Sequence, residues 1–228
     1  MKNWVYGLGV IVSMAGCGDG DANYHLKSIG DQTIVLDGRN DDEAWDNIKT
    51  IRNFRNPWND EVNPPTALQL CQDRQMLYFY FEVVDPEVVL EEQFTVERDV
   101  EKEDRVELFF SRDDQMGDYY CFEIDAESRV LAYRARNYRQ MDYDWDVPTG
   151  FEVKSIRTDD GYSVEGKIPL TFLTSLTSGN EISFGAYRAE FSRSENGLVE
   201  NWLTWINPKT PEADFHVPAS LGKLRLTR

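Results

Sequence analysis

The stretch Asp104–Asp125 constrains the fold of this chain more than any other part of its sequence. Polar and apolar side chains alternate in its first half, RVELFFS, and again in its second half, YYCFEID. Alternation with a period of two, among aromatic and β-branched residues, is typical of β-strands. The segment between the halves, Ser111–Asp118, contains three Asp and one Gly, which favour a chain reversal. The sequence therefore predicts a β-hairpin with one apolar face.

The other face of this hairpin carries acids beside aromatic rings. Its members by alternation are Glu107, Glu123 and Asp125, next to Phe109 and Tyr119. Carboxylates and rings on a rigid sheet suit a hydroxyl-rich ligand, because the carboxylates accept hydrogen bonds and the rings cover apolar surface. The alternative interpretation is an ordinary solvated face of a β-sandwich.

Short strands with turn signals between them continue along the chain. We predict roughly nine to eleven strands, including a long first strand at Tyr24–Leu36 and hairpins at 66–84 and 151–167. Short helical segments are predicted at Asn40–Trp45 and Thr171–Leu176 only, and Trp45 is expected in the core. The predicted fold is all-β, an antiparallel, jelly-roll-like β-sandwich with one or two short helices.

The N-terminus has the pattern of an export signal. Lys2 precedes a short apolar run, and the small residues of Ser13–Gly16 come directly before Cys17. We predict that residues 1–16 are a lipoprotein signal peptide and that Cys17 carries the lipid. Residues 17–23 would then be an acidic tether, and residues 24–228 the folded domain. The alternative is an ordinary secretory signal that happens to contain a cysteine.

The predicted localisation follows from this N-terminus: the protein is exported and lipid-anchored to the bacterial cell envelope, with the outer membrane as the expected membrane. An exported compartment permits a disulfide between Cys71 and Cys121. Nothing in their spacing requires one, and we predict two free, buried thiols. The chain has 41 acidic and 24 basic residues, a formal charge of -17, which argues against nucleic acid and anionic membrane surfaces as partners.

Seven segments, in order, resemble the family 9 carbohydrate-binding modules associated with xylanases. They are VLDGRNDDEAW, TALQLCQDRQMLYFYFEVVDPE, DRVELFFSRDD, YYCFEID, GYSVEGKIPLTFL, ISFGAYRAEFSR and WLTWINPKTPEADFHVPASLGKLRL. The closing F-H-x-P-x-x-L-G pattern is the most specific of them. The resemblance implies a β-sandwich that binds plant-type polysaccharide or oligosaccharide without cutting it, during carbohydrate catabolism.

The resemblance also implies site residues. Glu107 matches the acid of the D-x-V-E strand, and Arg188 matches the Arg of a Y-R-x-E strand. Phe215 stands where sugar-clamping members have Trp, and Trp205 is placed near it on the binding side. These four residues are expected to converge on one sheet face. The second clamp position, just before Asp104, holds no aromatic residue, and Phe94, Trp202 or Trp205 are the candidates to replace it.

Structural roles remain open for three of these residues. Arg188 could be a buried partner of Glu107 or Glu190, because a buried guanidinium needs a carboxylate. Phe215 could pack under the last strand. Trp202 and Trp205 are three positions apart in a predicted strand, so they face opposite sides and at least one belongs to the core.

Two other functions compete with sugar binding. A glycoside hydrolase needs two carboxylates on either side of the scissile bond, and an acid-rich chain offers such pairs by chance. No nucleophile elbow, zinc-protease, P-loop or dinucleotide motif is present. The second competing function is that of an accessory lipoprotein that binds protein partners, either glycoside hydrolases or glycan-uptake proteins. Structural calcium is a candidate through the resemblance, although no D-x-D-x-D-G loop marks a site.

Overall fold

Two β-sheets packed face to face form the computed structural model, which describes residues 22–60 and 62–227. In chain order the strands are β1 (Asn23–His25), β2 (Lys27–Ser28), β3 (Thr50–Ile51), β4 (Thr66–Gln72), β5 (Met76–Val84), β6 (Arg105–Ser111), β7 (Tyr119–Asp125), β8 (Val130–Arg136), β9 (Gln140–Asp142), β10 (Glu152–Thr158), β11 (Gly161–Pro169), β12 (Glu181–Ser194), β13 (Gly197–Thr204) and β14 (Gly222–Arg225).

The front sheet has the strand order β1-β14-β12-β6-β7-β8-β9, with β13 also paired to β12. The back sheet has the order β10-β11-β5-β4-β2, with β3 also paired to β4. Every strand pair among the described residues is antiparallel except β1 with β14 and β2 with β4. The predicted β-sandwich is confirmed, and so is the hairpin that links β6 to β7.

The main core lies between the two sheets. Alternate residues of each strand point inward, so that Val106, Leu108 and Phe110 of β6 face the back sheet and are fully buried. Phe79 and Phe81 of β5 face them from the back sheet and are equally buried. The period-two pattern of the sequence therefore decides which side chains remain on the two outer faces.

Helices are few and short. They are α1 (Leu170–Ser175) and three 3-10 turns at Glu43–Trp45, Glu97–Lys102 and Pro218–Ser220. No helix in the described part of the chain is long and apolar enough to cross a bilayer. Trp45 is buried as predicted, at 2% exposure.

The single first strand predicted at Tyr24–Leu36 is wrong. The chain gives β1 to the front sheet and β2 to the back sheet, so this segment crosses from one sheet to the other. Residues 29–36 form no strand. The side chains of Ile34 and Leu36 pack instead on the cluster around Trp45, and the Val35 amide donates to Asp42 Oδ2 at 2.8 Å. Local packing and a side-chain acceptor thus replace the ladder that the apolar pattern suggested.

Cys71 and Cys121 are free and buried, as predicted. They lie on the outer faces of different sheets, among separate apolar clusters. The predicted signal peptide and the lipidation residue Cys17 lie outside the described residues.

Candidate functional site

The outer face of the front sheet gathers charged side chains from the neighbouring strands β6 and β7. In the β6–β7 ladder Glu107 lies directly opposite Glu123, and on its other side Glu107 lies opposite Tyr187 of β12. Arg105 is two residues before Glu107 and therefore shares its face. These positions are almost completely buried: Arg105 has 5% exposure and Glu107 has 2%.

Arg105 holds the two carboxylates together. Its Nε donates to Glu123 Oε2 at 2.6 Å, and its Nη2 lies 3.0 Å from Glu107 Oε1. Its Nη1 donates to the backbone carbonyls of Glu101 and Glu103. The Tyr133 hydroxyl donates to Glu123 Oε1 at 2.8 Å. Because each partner is fixed by another, the floor of the site is rigid before any ligand arrives.

The floor also favours the protonated form of Glu107. Burial, together with the negative charge of Glu123, raises the pKa of Glu107 above its usual range, although Arg105 opposes the shift. One guanidinium cannot fully compensate two buried carboxylates, so the protonated form of Glu107 relieves the excess charge. A neutral carboxylic acid can donate a hydrogen bond as well as accept one.

Aromatic side chains form one wall above this floor. Trp202 of β13 is half-buried, and its ring meets Phe215 edge to face, with centroids 5.7 Å apart. Phe215 itself is 5% exposed and stacks on Tyr187. Tyr187 in turn occupies space above Gly185, where a Cβ atom would lie 2.1 Å from the Tyr187 hydroxyl oxygen. Glycine at 185 therefore permits the ring that supports the wall.

The rim of the site consists of carboxylates held by hydrogen bonds and by an ion pair. Arg139 Nη2 and the Tyr138 hydroxyl donate to the two oxygens of Asp214, at 3.0 and 2.8 Å. On the opposite side the Tyr143 hydroxyl donates to Glu101 Oε1 at 3.1 Å. These loops wall the pocket with polar groups of both signs.

His216 closes the site from below. Its Nδ1 lies 2.9 Å from the Tyr119 hydroxyl oxygen. Burial, and secondarily the charge of Arg139, lower the pKa of His216 to about 3, so the imidazole stays neutral. This is the structural role expected for a single buried histidine, not that of a base facing a ligand.

Together these groups enclose a pocket of about 400 Å³, called the front pocket below. Its lining comprises Arg98, Glu101, Arg105, Glu107, Glu123, Tyr133, Arg139, Met141, Tyr143, Trp202, Ala213, Asp214, Phe215 and His216. The volume suits a small ligand, and the mixture of aromatic walls and charged hydrogen-bonding groups suits one with hydroxyl groups on an apolar ring. No group of three or more metal-ligating side chains occurs among the described residues.

Two of the four sequence-predicted site residues, Glu107 and Phe215, lie in the front pocket. Arg188 does not, and the expected convergence of the four residues is wrong. In the β6–β12 ladder Tyr187 is opposite Glu107, so Arg188 points to the other face. A shift of one position reverses the face of a strand residue.

Arg188 is instead a fully buried structural cation between the sheets. Its Nη2 pairs with Asp85 Oδ2 at 3.0 Å, and its Nη1 donates to Thr66 Oγ1 and to the Val84 carbonyl. The buried-partner interpretation is therefore confirmed. The partner is Asp85, however, and not Glu107 or Glu190.

Trp205 was expected near the binding side and lies in the main core. It is 3% exposed, and its ring centroid is 5.7 Å from that of Phe184. Trp202 takes the pocket position, which agrees with the expectation that these two residues face opposite sides. Trp202 lies within β13, opposite Ala189 of β12, so the alternation of the strand sets the face on which it lies. Trp205 lies beyond the end of β13, where this alternation no longer applies.

The second clamp position is acidic in this pocket. Glu101, one of the residues just before Asp104, lines the front pocket, with the half-buried ring of Tyr143 beside it. Phe94, the other candidate, lies under the Arg129 guanidinium, 4.3 Å from its centre, and is absent from the pocket lining.

Sequence reasoning missed Arg105, Tyr133 and Tyr143. Arg105 shares the parity of Glu107, and Tyr133 pairs with Cys121 two positions before Glu123. Parity within the hairpin therefore could have identified Arg105. Tyr143 comes from a loop, where no periodic signal exists.

Comparison with known proteins gives a consistent family. The family model described as "Carbohydrate family 9 binding domain-like" matches residues 36–228. No curated protein sequence matches the chain significantly.

Solved structures share the fold at low sequence identity. A family 9 carbohydrate-binding module from Caldicellulosiruptor kristjanssonii in complex with glucose is 21% identical, with a TM-score of 0.57, covering 90% of this chain and 95% of its own. Its complex with cellotriose is 19% identical, with a TM-score of 0.56, covering 89% and 93%. A Bacteroides uniformis protein whose suggested function is carbohydrate binding is 14% identical, with a TM-score of 0.65, covering 89% and 98%.

Proposed function

The chain belongs to the carbohydrate family 9 binding domain-like family, and we propose on that premise that its front pocket binds the end of an oligosaccharide or polysaccharide without cleaving it. The observation that carries this proposal is the Arg105 floor under the Trp202 wall. Arg105 fixes Glu107 and Glu123 within 3.0 Å of its guanidinium, and the Trp202 ring lies 5.5 Å from the same group.

This geometry matches the two surfaces of a pyranose. The ring edge carries hydroxyl groups, which the charged floor can bind through strong hydrogen bonds. The ring face carries C–H groups, which pack on an aromatic side chain. Because the pocket holds about 400 Å³ and hydrogen-bonded side chains line its rim, a single sugar at a chain end fits better than a chain that runs through.

The first ligands to test come from the structural relatives. Glucose and cellotriose occupy the Caldicellulosiruptor kristjanssonii complexes. We extend these to this chain as proposed ligands, within the broader class of plant-type oligosaccharides. The acidic clamp position at Glu101 distinguishes this pocket from one with two aromatic walls, so the preferred sugar can differ from glucose.

A glycoside hydrolase is the competing function. The raised pKa of Glu107 beside a second carboxylate favours it. Against it, Glu107 and Glu123 are neighbours in one ladder and both contact Arg105. Hydrolysis needs carboxylates on opposite sides of the scissile bond, with room for the substrate between them. We therefore assign both acids to binding.

The proposed setting is the cell envelope. A lipid on Cys17 and a short tether would hold the domain at a membrane surface, where it would present glycans to glycoside hydrolases or uptake proteins. The acidic surface of the domain agrees with partners other than nucleic acid.

Calorimetric titration with glucose, cellobiose and cellotriose tests the proposal. Wild-type protein is expected to bind at least one of them with a one-to-one stoichiometry. Trp202→Ala should weaken binding about five- to thirtyfold, since a stacked ring contributes on the order of 1–2 kcal/mol. Leu198→Ala is the matched control, because Leu198 is exposed on the same strand and lies outside the pocket. Equal binding by wild type and Trp202→Ala would remove the front pocket as the site.

A further inference from the structure

The outer face of the back sheet contains two adjoining cavities that the front pocket does not include. One, of about 470 Å³, is lined by Thr158 of β10, Ser163 of β11 and the pair Tyr80 and Glu82 of β5. The other, of about 220 Å³, is lined by the same pair and by Gln69 of β4, Thr50 of β3 and Arg52. Because they share residues, we treat them as one depression, called the back groove below.

The back groove runs across the strands. Ser163 lies opposite Glu82, Tyr80 opposite Gln69, and Gln69 opposite Thr50 in successive ladders. The groove therefore crosses five strands, from β10 to β3. Four strand spacings of about 4.8 Å make it about 19 Å long. This length suits an extended chain of several linked rings, whereas the front pocket suits one ring.

One wall of the groove is held in place before any ligand binds. Glu165 has no exposed surface, and its Oε2 accepts the amides of Asp37 and Gly38, each at 3.0 Å. Its Oε1 accepts Trp45 Nε1 at 3.1 Å. Gly38 has a φ of +87°, and a Cβ atom there would lie 2.9 Å from Ile156. The loop that carries Arg39, Asn40 and Asp41 into the groove is thus fixed by a buried carboxylate and a required glycine.

Opposite charges face the groove without pairing to each other. Within the described ranges Arg52 and Glu82 form no ion pair, although both line the smaller cavity and are exposed. Arg39 is only weakly paired, at 3.9 Å from Asp37. The back groove therefore offers hydrogen-bond donors at Arg39, Arg52 and Asn40 and acceptors at Glu82 and Asp41.

The balance of these charges indicates the ligand. Two guanidinium groups and two carboxylates leave the groove close to neutral, and the whole chain carries a charge of -17. A polyanion would be repelled by the protein as a whole. Paired donors and acceptors along a polar groove suit vicinal hydroxyl groups, and the half-buried Tyr80 ring, tilted on Trp45, offers apolar surface between them.

We propose that the back groove binds an internal segment of a neutral oligosaccharide or polysaccharide, independently of the front pocket. The two sites lie on opposite outer faces of the sandwich, with the main core between them. The protein would then bind two glycan chains at once, one at its end and one along its length. This goes beyond the proposed function, which needs the front pocket only.

Amide chemical shifts of the 15N-labelled full-length protein test the proposal. The probes are glucose, three neutral β-linked hexasaccharides (cellohexaose, xylohexaose and mannohexaose) and one acidic hexamer, hexagalacturonate. We expect at least one neutral hexasaccharide to shift the amides of Gln69, Tyr80 and Ser163, and glucose to leave them unchanged. The amides of Glu107 and Glu123 report the front pocket in the same spectra.

The groove variant is Arg52→Ala combined with Glu82→Ala. It should weaken hexasaccharide binding at the back-groove amides at least tenfold, because two charged hydrogen-bonding groups are lost. The matched control is Arg157→Ala combined with Glu200→Ala, which also removes one exposed cation and one exposed anion but lies outside both sites. Its affinity should stay within twofold of wild type.

The outcomes separate the two proposals. Shifts at Glu107 and Glu123 without any at Gln69, Tyr80 and Ser163 would overturn the back groove and leave the front pocket intact. Shifts at the back-groove amides alone would support the groove and count against the front pocket. A response of the back-groove amides to hexagalacturonate only would overturn the assignment of a neutral chain. Equal affinities of the groove variant and the control for the hexasaccharide would overturn the assignment of Arg52 and Glu82 to the binding site.

Discussion

The ring of Phe215 lies parallel to the ring of Tyr187, with centroids 4.3 Å apart and an angle of 15° between the planes. Tyr187 is fully buried, and its hydroxyl contacts Ser220 Oγ at 2.7 Å. Phe215 is therefore anchored on one face and reaches the pocket only at its margin. The half-buried Trp202, which leans edge-on against Phe215, is the ring that a ligand can cover.

This arrangement predicts that the Phe215 ring contributes mainly to stability, whereas the Trp202 ring contributes to ligand binding. Phe215→Ala should lower the free energy of unfolding by about 3–5 kcal/mol, because a buried aromatic side chain leaves a cavity. Phe215→Leu, which keeps most of the volume, should cost clearly less. Urea denaturation measures both. If Phe215→Ala keeps wild-type stability and loses sugar binding, the ring is a ligand platform and the packing argument is wrong.

Arg105 should be essential to the stability of the pocket floor. Arg105→Ala leaves Glu123 and Glu107 buried without their cation, which should cost about 3–5 kcal/mol. Arg134→Ala is the control, on strand β8 of the same sheet. Its ion pair with Asp142 is exposed, at 44% and 40% of the two side chains, so its loss should cost no more than about 1 kcal/mol. Similar losses for both variants in denaturation experiments would contradict the central place of Arg105.

Arg188 should affect stability and not binding. Arg188→Ala leaves Asp85 buried and unpaired, at a cost of about 3–5 kcal/mol. Replacing both residues, Arg188→Met with Asp85→Leu, should recover much of that loss, because neither member of the ion pair is then left buried without its partner. Titration of the folded double variant with cellotriose should give the wild-type affinity. Weaker binding by a double variant of normal stability would return Arg188 to the site.

The hairpin β6–β7 shows how far sequence could go. Its alternation predicted both strands, the inward apolar face and the acidic outward face, because side-chain parity within one strand is local information. The position of Arg188 relative to Glu107 was beyond that information. It depends on the register between β6 and β12, two strands that are far apart in the sequence, and a shift of one residue reverses the face.

Other parts of the site depend on tertiary contacts in the same way. Tyr143 and Arg139 reach the front pocket from loops, and loops have no periodic pattern. Trp205 carries no signal that distinguishes a core ring from a binding ring. Glu165 looked like one more acid of a strand, and only the folded chain shows that it holds the loop at Asp37 and Gly38.

Lipid attachment at Cys17 is a prediction from sequence alone. Cys17→Ser should remove labelling of the protein by radioactive palmitate in bacterial cells and release it from the membrane fraction. Cys71→Ser is the matched control, since that thiol is buried in the folded domain. Fatty-acid labelling that is the same in both variants would exclude Cys17 as the lipidation site.

The stability of the protein should depend on pH through Glu107. Burial raises the pKa of Glu107 in the folded state above its ordinary value of 4.5. Its contribution is therefore complete below about pH 4.5 and is lost as the pH rises toward the folded-state pKa, because the unfolded chain releases the proton first.

Glu107→Gln isolates this effect, because glutamine cannot ionise. The stability of the variant relative to wild type should increase between about pH 5 and pH 8. His216, whose pKa is lowered to about 3, acts in the opposite direction by losing stability as the pH falls below 6.5. It is present in both proteins and cancels in the difference. Urea denaturation at several pH values measures that difference directly. A difference that stays constant or decreases with pH would mean that Arg105 keeps Glu107 ionised, and that the pocket floor offers ligands an acceptor only.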